Sequence, residues 1–341
     1  MQGWLASLWG KLWGWAANQA NHRSRPKRHA RLHFEQLEDR TVPATFLVRD
    51  INVGAGPSWP GQFAEVNGTL FFTANHPSFG YELWRSDGTS SGTVLVRDIR
   101  PGSAGSAPFF LTNVNGTLFF RANDGSTGVE LWRSDGTAGG TVLVRDIRPG
   151  TGGSFPEGLT NVNGTLFFRA NDGSTGAELW RSNGTSAGTV LVRDIRFGSA
   201  GSAPFWLTNV NGTLFFAAND GLLFSELWRS DGTSAGTVLV RNIRLGGGSY
   251  PSYLTNLNGT LFFSAHDGST GRELWRSNGT STGTVLVRDI RPGTGGSYPY
   301  LLTNVNGTLF FRANDGSTGE ELWRSNGTFF GTFRVHDIRP G

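Results

Sequence analysis

The sequence predicts an all-β chain folded as a β-propeller, most simply of six blades with four short strands each. Three observations carry that expectation. Tryptophan recurs at Trp84, Trp132, Trp180, Trp228, Trp275 and Trp323, in steps of 48, 48, 48, 47 and 48 residues, and a fixed period of about 40–50 residues marks propellers, kelch-like arrays or helical solenoids. Within each unit, β-forming runs alternate with turn residues, and apolar residues show no helical spacing. The runs are also apolar on both faces, so each sheet must be covered on both sides, as a blade between two neighbours is.

The unit at 107–148 justifies the four strands in order. Phe109–Val114 opens it, and Asn115-Gly116 is a strong two-residue hairpin signal. Thr117–Ala122 reads Thr-Leu-Phe-Phe-Arg-Ala, rich in strand formers. A glycine-bearing loop, Asp124–Gly128, leads to a third strand at Glu130–Ser134. After the turn Asp135–Thr141 comes a fourth, Thr141–Ile147, closed by Arg148-Pro149-Gly150. In that strand Val142, Val144 and Asp146 are expected on one side, and Leu143, Arg145 and Ile147 on the other.

Six such units fill 52–339, and a seventh copy of the fourth strand alone stands ahead of them at Phe46–Ile51. It would cap the first blade or replace the last strand of the sixth. An open stack of blades is the alternative to a ring.

Composition bounds the chemistry. The chain has no cysteine, which excludes disulfides, zinc–thiolate centres, iron–sulfur clusters and cysteine nucleophiles. Its formal charge of +4 resides wholly in residues 1–44, which hold seven basic and three acidic residues; residues 45–341 are neutral and lack lysine. A nucleic-acid-binding face needs a basic surplus, so no nucleic-acid partner is expected for the body. Residues 1–44 are accordingly assigned as a basic leader and 45–341 as the repeat domain. Within the leader, Trp4, Leu5, Leu8, Trp9, Leu12, Trp13 and Ala16 share one helical stripe, the pattern of an interfacial helix that would contact a membrane before processing; a cleaved or disordered export segment is the other reading.

The repeat Glu-Leu-Trp-Arg-Ser-Asp-Gly-Thr at Glu130–Thr137, followed by Gly140-Thr141 and Val144-Arg145-Asp146-Ile147, resembles the ELWxxDGT repeat of large bacterial surface or secreted proteins. Asn183, Asn278, Asn326 and Asn242 depart from it where the motif has Asp. The resemblance implies a propeller-like fold and a secreted or cell-surface setting, and no defined activity. Phe34–Ala44, Phe-Glu-Gln-Leu-Glu-Asp-Arg-Thr-Val-Pro-Ala, is similar to the segment heading many planctomycete exported proteins, which implies export.

Catalysis is poorly supported, because nearly identical blades leave little from which to build one unique pocket. The repeated Trp is read as inter-blade core rather than a sugar-stacking platform. Glu130 and its equivalents are expected to pair with a repeated Arg, such as Arg133 or Arg145. The loop Asn123–Gly128 offers oxygens for calcium, but one Asp per loop fits an Asx-turn better, so no cofactor is expected. Aromatic residues gather just ahead of the first strands: Trp59, Phe109, Phe110, Phe155, Phe205, Trp206, Tyr250, Tyr253, Tyr298 and Tyr300. A ring of these is the candidate ligand face. The expected function is a non-catalytic extracellular or cell-surface scaffold for binding or adhesion, with repeated weak sites for glycan or protein. An extracellular polysaccharide hydrolase or lyase is its alternative.

Overall fold

The computed structural model of the protein describes residues 45–54 and 56–338. The leader 1–44, with its helical stripe, lies outside the described residues. The chain divides into two units, Met1–Phe46 and Leu47–Gly341, and everything below concerns the second.

Six four-stranded antiparallel sheets follow one another, each a meander whose strands pair in chain order. These propeller-like blades occupy 61–97, 109–145, 157–193, 205–241, 252–288 and 300–334, and no helix occurs among the described residues. Blade two is made of Phe109–Val114, Thr117–Asn123, Val129–Ser134 and Val142–Arg145. Its first turn has Asn115 at φ 49° and Gly116 at φ 80°. Two positive values in a two-residue loop give the type I′ hairpin that matches strand twist, which is why Asn-Gly stands there.

Each blade presents two apolar faces. Leu118, Phe120, Ala122 and Trp132 face back onto Phe71, Leu83, Val96 and Ile99 of blade one. Phe119, Leu131, Val144 and Ile147 face forward onto Leu166, Phe168 and Trp180 of blade three. The same arrangement fills the three interfaces that follow. Val144 and Ile147 therefore share a side, contrary to simple alternation. The register slips between Leu131, opposite Arg145, and Trp132, opposite Leu143, so Val144 is an extra bulged residue that resets the alternation. All six repeated tryptophans are buried in these cores or their equivalent.

Polar ties cross each interface. Arg97 Nη1 donates to the Thr141 carbonyl at 2.5 Å, and Arg145, Arg193, Arg241 and Arg288 repeat the bond one blade further on. Asn161 Nδ2 donates back to the Asn113 carbonyl and Asn209 Nδ2 to the Asn161 carbonyl, joining first strand to first strand.

The ends of the array differ from its middle. Residues 45–51 form no strand. Instead Ile51 docks on Phe72, Ala74 and Trp84 of blade one, and Arg49 Nη1 donates to the Thr93 carbonyl at 2.5 Å, the bond Arg97 makes to Thr141. Blade six carries a fourth strand of only two residues, Phe333–Arg334. Its forward face lies open: Val305 is 47% and Leu322 40% exposed, against 5% and 0% for Val114 and Leu131. Among the described residues no apolar core joins blade six to blade one.

Candidate functional site at the inner edge of the first strands

The first strands lie side by side from blade to blade, and each contains a bulge against its second strand. In blade two Phe109 pairs with Arg121 and Thr112 with Phe119, leaving Phe110 and Leu111 to share one partner position. The bulged residue sits in the left-handed region in all six blades: Gln62 at φ 51°, Phe110 at 59°, Gly158 at 65°, Trp206 at 58°, Tyr253 at 56° and Leu301 at 56°. Non-glycine residues pay strain of order 1–3 kcal/mol to sit there. The bulge turns this side chain toward the neighbouring first strand: Gln62 Oε1 accepts from the Phe110 amide at 3.1 Å, and the Trp206 and Tyr253 rings lie 4.7 Å apart.

The ten aromatic residues singled out in the sequence fall at three different positions rather than on one repeated ring. Trp59, Phe155, Tyr250 and Tyr298 are exposed residues, each immediately before a proline, at φ values of 40°, 50°, 48° and 50°. Phe109, Phe205 and Tyr300 begin first strands, and Phe110, Trp206 and Tyr253 are bulge residues. Only part of the set comes together: Phe109 with Phe110 at 4.8 Å, Phe205 with Trp206 at 5.7 Å, and a run from Trp206 through Tyr253 to Tyr300, the last pair 6.0 Å apart.

The run breaks at blade three, where Gly158 takes the bulge. The missing side chain leaves a cavity of about 420 Å³ walled by Phe110, Leu159, Phe205, Trp206 and Leu207, within the usual range for small-ligand sites. Glu157 lies at its edge and binds two cations, Arg121 at 3.1 Å and Arg169 at 3.8 Å. The Arg121 guanidinium also lies over the Phe110 ring, 4.9 Å from its centre. Gly158, Glu157, Arg121 and Arg169 were not among the sequence candidates, although aligning the six units exposes the glycine. The smaller polar hollows of about 160 and 170 Å³ lie between blades two and three and between blades four and five, on equivalent residues, and belong to the repeat.

The repeated glutamates do not pair with arginine. Glu130 is wholly buried and accepts from the Ser154 hydroxyl at 2.5 Å and from the amides of Ser154, Ile147 and Arg148. The linker entering blade three supplies the donors that an arginine would otherwise have provided. Burial raises the carboxyl above the ordinary glutamate value, against those hydrogen bonds, and at Glu273 it reaches about 7. The loop aspartates are occupied as well: Asp124 Oδ1 accepts from the amides of Ser126 and Thr127. Burial works upward on Asp124, but these donors outweigh it and hold it below the ordinary value. Among the described residues no cluster of His, Asp and Glu is arranged to hold a metal.

No protein-family model matches the chain, and no curated protein does. Oligopeptidase B from Leishmania major is similar in fold, with 12% identity and a TM-score of 0.51 over 90% of this chain and 45% of that one. A puromycin hydrolase structure follows at 14% identity and 0.46, over 84% and 55%. A Mycobacterium tuberculosis puromycin-hydrolyzing peptidase matches at 11% and 0.46, over 82% and 44%. The chain spans about half the length of these proteins, and at such identity the likeness is one of fold.

These findings correct the expected function. The fold is shared with a protein named as a peptidase, oligopeptidase B, and not with a named adhesion scaffold or polysaccharide hydrolase or lyase.

Proposed function

We propose that the six blades close into a ring fastened by residues 45–51, and that this propeller is a non-catalytic module with one recognition site for peptide, working beside a peptidase. Closure is supported by unmatched halves at the two ends. Glu321 is the only one of the six repeated glutamates that no serine hydroxyl meets among the described residues; it accepts from the Ile338 amide alone. Ser58 holds the place of Ser106 and Ser154 ahead of blade one, its carbonyl accepting from Asn75 as theirs do from Asn123 and Asn171, yet among the described residues no glutamate meets it. Blade six also has His336 where the clasping arginine stands in other blades, whereas the N-terminal copy keeps Arg49. Bringing Glu321 to Ser58 would lay Val305 and Leu322 on the half-exposed Leu70.

A double-mutant cycle tests closure. Ser58→Ala and Glu321→Gln are expected to couple by about 1 kcal/mol or more, like Ser154→Ala and Glu130→Gln. Additive effects would show open ends.

The observation that carries the recognition role is the cavity at Gly158, the one bulge position of six without a side chain. Its walls are mainly apolar, and Glu157 and Thr160 are the polar side chains that line it. A library of short peptides titrated against the full chain is expected to show one site per chain and no hydrolysis. A stoichiometry near six, or cleavage by the chain alone, would overturn this reading.

A further inference from the structure

We infer that the Gly158 cavity takes an aromatic ring that carries a carboxylate, the chemistry of a peptide ending in Phe, Tyr or Trp. The inference rests on the single-site reading above and names its ligand class.

The ring follows from the walls. Phe110 and Trp206 flank the gap that a side chain at Gly158 would fill, and in the neighbouring blades that space holds an aromatic in contact with the next, as Trp206 and Tyr253 show at 4.7 Å. A guest ring would restore the stack that the glycine interrupts. Aromatic pairs at this spacing gain about 0.5–1.5 kcal/mol beyond their buried area.

The carboxylate follows from the charges. Glu157, in the lining of the cavity, is met by two guanidinium groups, those of Arg121 and Arg169. The surplus is one positive charge. Arg169 reaches Glu157 only at 3.8 Å and has no other charged partner among the described residues, so most of its five N–H donors stay available for an anion. A cationic ligand would have to displace both arginines from Glu157. An uncharged ring would leave the surplus unanswered.

The backbone supplies an unusually clean test. Gly158 is at φ +65°, yet the five equivalent positions carry Gln, Phe, Trp, Tyr and Leu at φ 51–59°. A Cβ added at Gly158 would meet only the Leu207 methyl carbons, the nearer at 3.7 Å, an ordinary contact. Gly158→Leu copies Leu301 and is expected to fill the cavity while keeping the fold.

The probes are N-acetyl-phenylalanine, its amide, and N-acetyl-leucine, titrated calorimetrically into the full chain at low salt. N-acetyl-phenylalanine is expected to bind at one site, at least about tenfold more tightly than the other two. Gly158→Leu should abolish that binding in a chain that still folds cooperatively, its melting temperature lowered only by the strain of a side chain at φ +65°, and Arg169→Ala should weaken the acid about tenfold while leaving the amide unaffected. Equal binding of acid and amide, or of phenylalanine and leucine derivatives, would overturn the ligand class and leave the single site standing. Binding that survives Gly158→Leu would place the ligand elsewhere and overturn the site itself, as would no binding of any probe.

Discussion

The Ser297 hydroxyl, on the linker entering blade six, donates to the buried carboxyl of Glu273 in blade five at 2.5 Å. The same bond joins Glu82 to Ser106, Glu130 to Ser154, Glu178 to Ser202 and Glu226 to Ser249. The glutamate of the repeat is thus a bracket that holds the next blade's incoming chain.

Stability should fall as pH rises. Burial lifts these carboxyls above their unfolded value, Glu273 from 4.5 to about 7, so the folded chain binds more protons than the unfolded one between those limits. The contribution is full below about 4.5 and is lost as pH climbs through 7. Glu273 alone accounts for on the order of 3 kcal/mol at most. Urea unfolding at pH 5, 6, 7 and 8 should show a declining midpoint, with a shallower decline for Glu273→Gln. The loop aspartates titrate below this window, because Asp124, Asp172 and Asp267 are all shifted downward. A midpoint that rises over this range would contradict the bracket's energetics.

Trp180 lies in the core between blades two and three at 5% exposure. Trp180→Ala should cost about 3–5 kcal/mol in denaturant unfolding. Under conditions where the variant is still folded, its affinity for N-acetyl-phenylalanine should match that of the parent chain. A variant of normal stability with lost binding would make this tryptophan a ligand contact.

Two glycines in blade two should respond oppositely to alanine. Gly128 is at φ +75°, and a Cβ there would lie 2.5 Å from the Gly153 amide nitrogen and 2.7 Å from the Thr151 carbonyl oxygen, both backbone. Gly139 has nothing within 4 Å and no positive φ. Gly128→Ala should therefore destabilise by more than about 1 kcal/mol, and Gly139→Ala should be neutral or slightly stabilising. Thermal unfolding of the two variants decides it.

The two candidate clasping positions also differ. Arg49→Ala removes a charged donor to the Thr93 carbonyl and should cost about 1.5–3 kcal/mol. His336→Ala removes no such bond and should change stability by less than about 0.5 kcal/mol. Equal losses at both would count against residues 45–51 as the fastening segment.

Much of the architecture was legible before any coordinates. Asn115-Gly116 located a hairpin because few other pairs accept two positive φ values in succession. Leu118, Phe119 and Phe120 announced a sheet covered on both faces. The candidate site was less legible. Aromatics clustered in sequence ahead of the first strands, but Phe155 and Phe110 point to different places, since one precedes a proline and the other sits in a bulge. The residue that matters most at the cavity is a glycine, which carries no side chain to mark it in the sequence.

By itself, the sequence determined the repeat, the four strands of each unit and which residues must be buried, since period, turn chemistry and apolar patterning are local properties of the chain; the further strand expected at Phe46–Ile51 is absent. Only the tertiary structure decided three further things. It brought Val144 and Ile147 to one face, because a bulge depends on pairing with Leu131 and Trp132. It gave Glu130 a serine instead of an arginine, because the partner arrives 24 residues later from the next blade. It opened the cavity at Gly158, because an absent side chain becomes a space only when Phe110 and Trp206, from blades on either side, close around it.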